Sequence, residues 1–291
     1  MLDSLIHRTF FTFSRRFTFF SHKKPNLPRF SHTKTKSSRC QSVDVFYPSV
    51  QSTTYPLLTY LHGLGGGSEI EPIAYDELFN AITAFGYVLV APRACDYGCK
   101  EDRLSLKHDP PFFGNFYKQH FAAIEWAKNM SSEAPFDMID WDAGVGIAGH
   151  SMGGQGTLFA SSYDNASNYD IRAAVMHHAY SHEYPAPSIP FLAFTGTKDD
   201  TAPPEMAESF FNAPGAYPTR GLVNRENTNH HEPDIESYND LLPQFTVAWL
   251  KLYLNDKNTK DYDFHSMIYG NGTDSLCGGG DGDMKECVIY Q

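Results

Sequence analysis

Short apolar runs alternate along the chain with longer segments of helical character. The runs Ser42–Tyr47, Leu57–His62, Tyr87–Ala91, Val145–Ala148, Ala173–Met176, Phe191–Thr195 and Leu222–Glu226 are mostly short and rich in β-branched or aromatic residues, as strands buried on both faces of a sheet must be. Between them Glu71–Phe85, Asn115–Met130 and Gln155–Ser162 read as helices, and Ile235–Leu254 follows the last run. In the second of these, Phe116, His120, Ala123, Ile124 and Ala127 recur at three- and four-residue steps, which gathers them on one helical face that packs on the sheet. The alternation predicts an α/β fold: a mostly parallel central sheet with helices on both faces. The gaps between strands are too short for a large lid domain, so the site is expected to be open.

The strand ending at Ala148 runs directly into Gly149-His150-Ser151-Met152-Gly153-Gly154. A G-x-S-x-G sequence between a strand and a helix is a nucleophile elbow, in which the sharp turn lifts the serine clear of the sheet edge. At 149 and 153 a side chain would clash with the turn. Upstream, Tyr60-Leu61-His62-Gly63-Leu64-Gly65-Gly66-Gly67 ends an earlier strand in a glycine-rich turn. No G-K-[ST] follows it and the dinucleotide spacing is absent, so a phosphate cradle is disfavoured. An oxyanion hole built from the backbone N–H groups of Leu64 and Met152 is the favoured role.

A serine hydroxyl needs a base, and the base needs an orienting acid. Two loops supply candidates in the order Ser, Asp, His: Gly196 to Pro203, with Asp199 and Asp200, and Asn227 to Pro233, with His230 and His231. Asp199 and His230 are preferred, with both doublets open at this stage. His177 and His178, at the end of another strand, are read as pocket wall. No metal-ligand spacing is found, and no cofactor or metal is implied.

Composition sets the surroundings of this chemistry. Hydrophobic residues make up 41% of the 291 residues, enough for a buried core in a single large domain. Residues 1–40 carry nine Lys/Arg against Asp3 alone; since the whole chain is −11, the remainder is −19. So acidic a body disfavours nucleic acid and anionic lipid as partners and favours a neutral small or lipid-like substrate. No apolar stretch is long enough to span a membrane.

Residues 1–40 are expected to be a leader or disordered extension, basic and acid-poor like an organelle transit peptide. Residues 41–291 are the catalytic domain, including a Gly/Asp-rich tail, 270–291. Beyond the leader stand Cys95, Cys99, Cys277 and Cys287. Local pairing gives Cys95–Cys99 and Cys277–Cys287, although four cysteines allow three connectivities. The tail is expected to be a solvated loop clipped by the second pair. Disulfides, and sequons at Asn129, Asn165 and Asn271, favour secretion or another oxidising compartment.

Over residues 42–255 the chain resembles the α/β-hydrolase superfamily, and within it the cutinase-like and polyester-hydrolase branch, with chlorophyllase-like esterases as relatives. The resemblance rests on Gly149 to Gly154, on the acid loop and on Asn229-His230-His231-Glu232-Pro233. It implies a serine hydrolase cleaving carboxylic esters through an acyl-enzyme. With Ser151 given by the elbow, its spacing to the loop prolines selects Asp199 and His230 as the other triad members, with His231 in an aromatic's place. It also makes Tyr180, in Ala173-Ala174-Val175-Met176-His177-His178-Ala179-Tyr180, a substrate-wall residue. Where polyester hydrolases usually have Pro-Gly-Tyr, this chain has His62-Gly63-Leu64, without an aromatic clamp. A thioesterase, a peptidase and a non-catalytic binding protein are the competing readings.

Overall fold

The computed structural model describes residues 31–35, 43–49, 53–66, 75–93, 115–162, 164–234, 239–255, 262–278 and 284–291. Its strands are β1 (Ser31–Thr35), β2 (Val43–Tyr47), β3 (Leu57–Leu61), β4 (Val88–Pro92), β5 (Val145–His150), β6 (Ile171–His177), β7 (Phe191–Gly196), β8 (Arg220–Arg225) and β9 (Met284–Tyr290). The helices are α1 (Asp76–Ala84), α2 (Lys118–Asn129), α3 (Met152–Ser162), α4 (Pro204–Phe211), α5 (Leu241–Tyr253) and α6 (Phe264–Tyr269).

All nine strands form one sheet in the order β1-β2-β4-β3-β5-β6-β7-β8-β9. The strands β4, β3, β5, β6, β7 and β8 run parallel, and β1, β2 and β9 add antiparallel pairs at the edges. Strand periodicity divides the core. Leu57, Val88, Val90, Ile147, Ala174, Met176, Phe191 and Ala193 face a cluster built with α2, α3 and α4. Leu58, Leu89, Ala148, Ala173, Val175, Leu192 and Phe194 face the opposite cluster, built with α1, α5 and α6. Both faces are therefore covered, as a parallel sheet requires.

A buried polar tie crosses the first cluster. The fully buried His120 of α2 lies between Thr59 of β3, 2.6 Å from Nδ1, and Thr157 of α3, 3.0 Å from Nε2. Thr157 donates to the carbonyl of Gly153, so Nε2–H donates to Thr157 and Nδ1 accepts from Thr59. Burial lowers the His120 pKa to about 3, which keeps the ring neutral.

Three expectations change. Ser31–Thr35, within the segment expected to be a leader, forms β1; its polar sequence carries no strand signal. The tail is more than a solvated loop: Cys287, bonded to Cys277, lies on β9 opposite Val223 of β8. Helix α3 starts at Met152 rather than Gln155, because packing overrides the low helix propensity of Gly153 and Gly154. Cys95 and Cys99 lie outside the described residues.

Candidate active site

The elbow follows from steric necessity. Ser151 has φ 55°, a left-handed conformation costly for any residue with a side chain. Two backbone bonds hold it there: its N–H donates to the carbonyl of His177, and its own carbonyl accepts from the N–H of Tyr180, both at 3.0 Å. A Cβ on Gly153 would lie 2.0 Å from the carbonyl oxygen of Leu61, and one on Gly149 would lie 2.3 Å from that of Gly153. Both glycines are therefore fixed by the turn.

Because β5, β6, β7 and β8 are parallel, the loops after them emerge at one edge of the sheet. Those loops bring together Ser151, Asp199 and His230, all buried. His230 Nδ1 lies 2.9 Å from Asp199 Oδ2, and Nε2 lies 2.8 Å from Ser151 Oγ. An ionised carboxylate only accepts, so Nδ1–H donates to Asp199 and Nε2 accepts the serine O–H. The other Asp199 oxygen accepts from the N–H groups of Thr201 and Ala202 at 3.0 and 2.7 Å. Asp200 is exposed. His231 turns away to Asp234, 2.7 Å from its Nδ1.

The glycine turn after β3 lies against Ser151: a Cβ on Gly63 would come within 3.3 Å of Ser151 Cβ. Gly63 N–H donates to the Tyr75 hydroxyl at 2.9 Å, so it is already engaged. Among the described residues, the N–H groups of Leu64 and Met152 have no acceptor. The Leu64 side chain is 54% exposed at this edge. Tyr180 is half-buried beside Ser151, its ring edge-on to His182 at 5.1 Å.

Four site neighbours carry no motif of their own. His150 donates from Nε2 to the carbonyl of His230 at 2.8 Å and accepts the Tyr75 O–H at Nδ1, also at 2.8 Å. That chain joins the glycine turn, the elbow and the His230 loop, and burial, with His230 and His178 nearby, holds the His150 pKa well below its usual value. His178, read as pocket wall, instead faces inward: Nδ1 lies 2.8 Å from Asp199 Oδ2 and Nε2 lies 2.9 Å from Glu232 Oε2. Glu232 is fully buried and also accepts from Arg225 and Asn239. Its place two residues after His230 was the one sequence signal that could have found it. His177 points beneath the site, to Tyr60 and Thr246 at 3.2 and 2.9 Å.

Electrostatics follow from these partners. Burial opposes charge on His178, but the two carboxylates outweigh it and raise its pKa to about 9. Burial would raise the Glu232 pKa, yet His178 and Arg225 bring it down to about 2. Asp199 is likewise held below its usual range by His178 and His230 despite burial. His177, without a carboxylate partner, is lowered by burial to about 3.

A parallel sheet covered on both faces, with a serine on a strained strand–helix turn, defines an α/β-hydrolase. The chain belongs to the PET hydrolase-like family, whose model matches residues 109–274, and a chlorophyllase family model matches residues 20–176. The family is one of carboxylic ester hydrolases. Similar curated proteins include a bis(hydroxyethyl) terephthalate hydrolase of Streptomyces coelicolor, 29% identical over 48% of this chain and 43% of its own length. Cutinase 2 of Thermobifida cellulosilytica is 27% identical over 48% of this chain and 52% of its own. Cutinase cut1 of Thermobifida fusca is 27% identical over 48% and 42%, respectively. The chain spans about half the length of the curated relatives it matches.

Proposed function

We propose that the protein hydrolyses uncharged carboxylic esters of short to medium chain length through an acyl-enzyme on Ser151. The observation that carries this reading is the hydrogen-bonded line from Ser151 Oγ through His230 to Asp199. His230 Nε2 takes the serine proton as Oγ attacks the ester carbonyl, and Asp199 orients and stabilises the imidazolium. The negative oxygen of the tetrahedral intermediate sits against the N–H groups of Leu64 and Met152, which are free to donate to it. His230 then returns the proton to the departing alkoxide. Water, deprotonated by the same nitrogen, cleaves the acyl-enzyme and restores Ser151.

Tyr180 and Leu64 flank the nucleophile and supply apolar surface for the substrate. The Cys277–Cys287 bond supports residence in an oxidising compartment. Among the described residues no helix is long and apolar enough to cross a membrane.

The test is hydrolysis of p-nitrophenyl acetate, butyrate and octanoate and of bis(hydroxyethyl) terephthalate, with fluorophosphonate labelling of wild type and Ser151→Ala. Wild type should turn over the neutral esters and label. The variant should lose labelling and roughly 10⁵–10⁶ of the rate. A wild-type chain that is folded yet neither labels nor turns over any ester would favour the binding-protein reading. Selective turnover of cationic esters would overturn the substrate class.

A further inference from the structure

His178 stands at a place where both ring nitrogens meet a carboxylate, Asp199 Oδ2 at 2.8 Å and Glu232 Oε2 at 2.9 Å. Ionised carboxylates accept and do not donate, so each ring nitrogen must carry a hydrogen, and the ring is an imidazolium. It is fully buried. Its backbone is also strained, with φ 47°, and its N–H is tied to the carbonyl of Phe194 at 2.9 Å. Ser151 and His178 are thus both non-glycine residues in left-handed geometry at the ends of the neighbouring strands β5 and β6. Strain of this kind persists where the surrounding structure has to aim a side chain.

We propose that His178 is a positioning residue: an imidazolium clamped between Asp199 and Glu232 that fixes the carboxylate orienting His230 and shares its negative charge. Asp199 Oδ2 accepts from both histidines, so the line from Ser151 continues through His230, Asp199 and His178 to Glu232, which Arg225 and Asn239 hold from the far side. Two carboxylates, His178 and Arg225 sum to zero charge, so the cluster is neutral before reaction.

The consequence is electrostatic as well as geometric. The His178 and His230 rings are 6.0 Å apart, and both bond the same Asp199 oxygen, so the direction and charge of that carboxylate are divided between them. The other titratable rings packed around His178 are His150, 6.4 Å away on β5, and its neighbour His177 on β6; both are held neutral by burial.

This inference rests on the ester-hydrolase reading for its kinetic arm and is independent of it for its spectroscopic arm. In ¹H–¹⁵N spectra of the histidine-labelled full chain, one histidine should keep both ring nitrogens protonated at about pH 8. A spectrum without such a ring overturns the proposal, whether or not any ester is turned over.

The kinetic arm compares two substitutions with p-nitrophenyl butyrate as the probe. In His178→Asn the amide nitrogen sits near the former Nδ1 and keeps the bond to Asp199 without the charge. Its kcat should fall by no more than about tenfold, with KM within about twofold of wild type. In His178→Gln the amide nitrogen reaches toward Glu232 and leaves Asp199 unsupported, so kcat should fall about tenfold further than in the Asn variant. A His178→Gln kcat equal to that of the Asn variant, or losses that only follow the folded fraction in thermal melts, would overturn the assignment. Should neither variant fold, the wild-type spectrum alone decides.

Discussion

Asp199 accepts four hydrogen bonds, two on each carboxylate oxygen, and this local saturation distinguishes it from Asp200, one residue on and exposed. Asp199→Asn should therefore lower kcat by about 10⁴, since an amide at Oδ2 disfavours the required His230 tautomer. Asp200→Asn should leave kcat and KM within about twofold, and parallel steady-state assays of the pair separate the two. The adjacent histidines obey the same logic. His231 is spent on Asp234, while His230 spans Asp199 and Ser151. Neighbours in sequence acquire opposite roles because the backbone turns one inward and the other toward solvent.

At the scale of elements, the elbow depends on the close approach of α3 to β3. With only 2.0 Å between a Cβ at 153 and the Leu61 carbonyl oxygen, Gly153→Ala should abolish ester turnover and lower the melting temperature, as read in a thermal melt beside the activity assay. The tie of α2 to β3 and α3 through His120 should be worth about 1–3 kcal/mol, because His120→Leu leaves the Thr59 hydroxyl buried without its ring partner. Urea unfolding measures that loss, and KM should barely change because His120 does not touch the site. At the far edge, Cys277–Cys287 fastens β9, which is separated from β5 by β6, β7 and β8. Closing so short a loop constrains the unfolded chain by about 3 kcal/mol. The Cys277→Ser/Cys287→Ser double variant should lose stability of that order and keep its kcat.

Across the whole molecule, buried histidines set the dependence of stability on pH. His120 and His177 have folded pKa values near 3, below their unfolded values. Their contribution is present above about pH 6.5 and is lost as the pH falls, because the unfolded chain then binds protons that the folded chain refuses. His178 has the opposite sign. With a folded pKa of about 9, its contribution is complete below about pH 6.5 and is lost as the pH rises through about 9. Unfolding midpoints measured from pH 4 to 10 should therefore fall on both sides of neutrality, and His178→Asn should flatten the alkaline side alone.

Periodic apolar runs determined the seven inner strands and four of the helices, because burial on both sheet faces leaves a pattern that no other environment produces. Gly149 to Gly154 and the order of the acid and histidine loops were equally legible, since the turn and the proton chemistry restrict residue types. The edges were not. Strands β1 and β9 carry polar and charged residues, and only pairing with β2 and β8 makes them strands. Nor was the network behind Ser151, His230 and Asp199. His178 follows β6, whereas Arg225 ends β8 and Glu232 lies in the loop beyond it, and they meet because the parallel strands β6, β7 and β8 end at one edge. A sequence can specify which groups are able to ionise, but burial and the distance to a partner decide which of them do: His177 is neutral and His178 charged, side by side on the chain, because one meets hydroxyls and the other meets carboxylates.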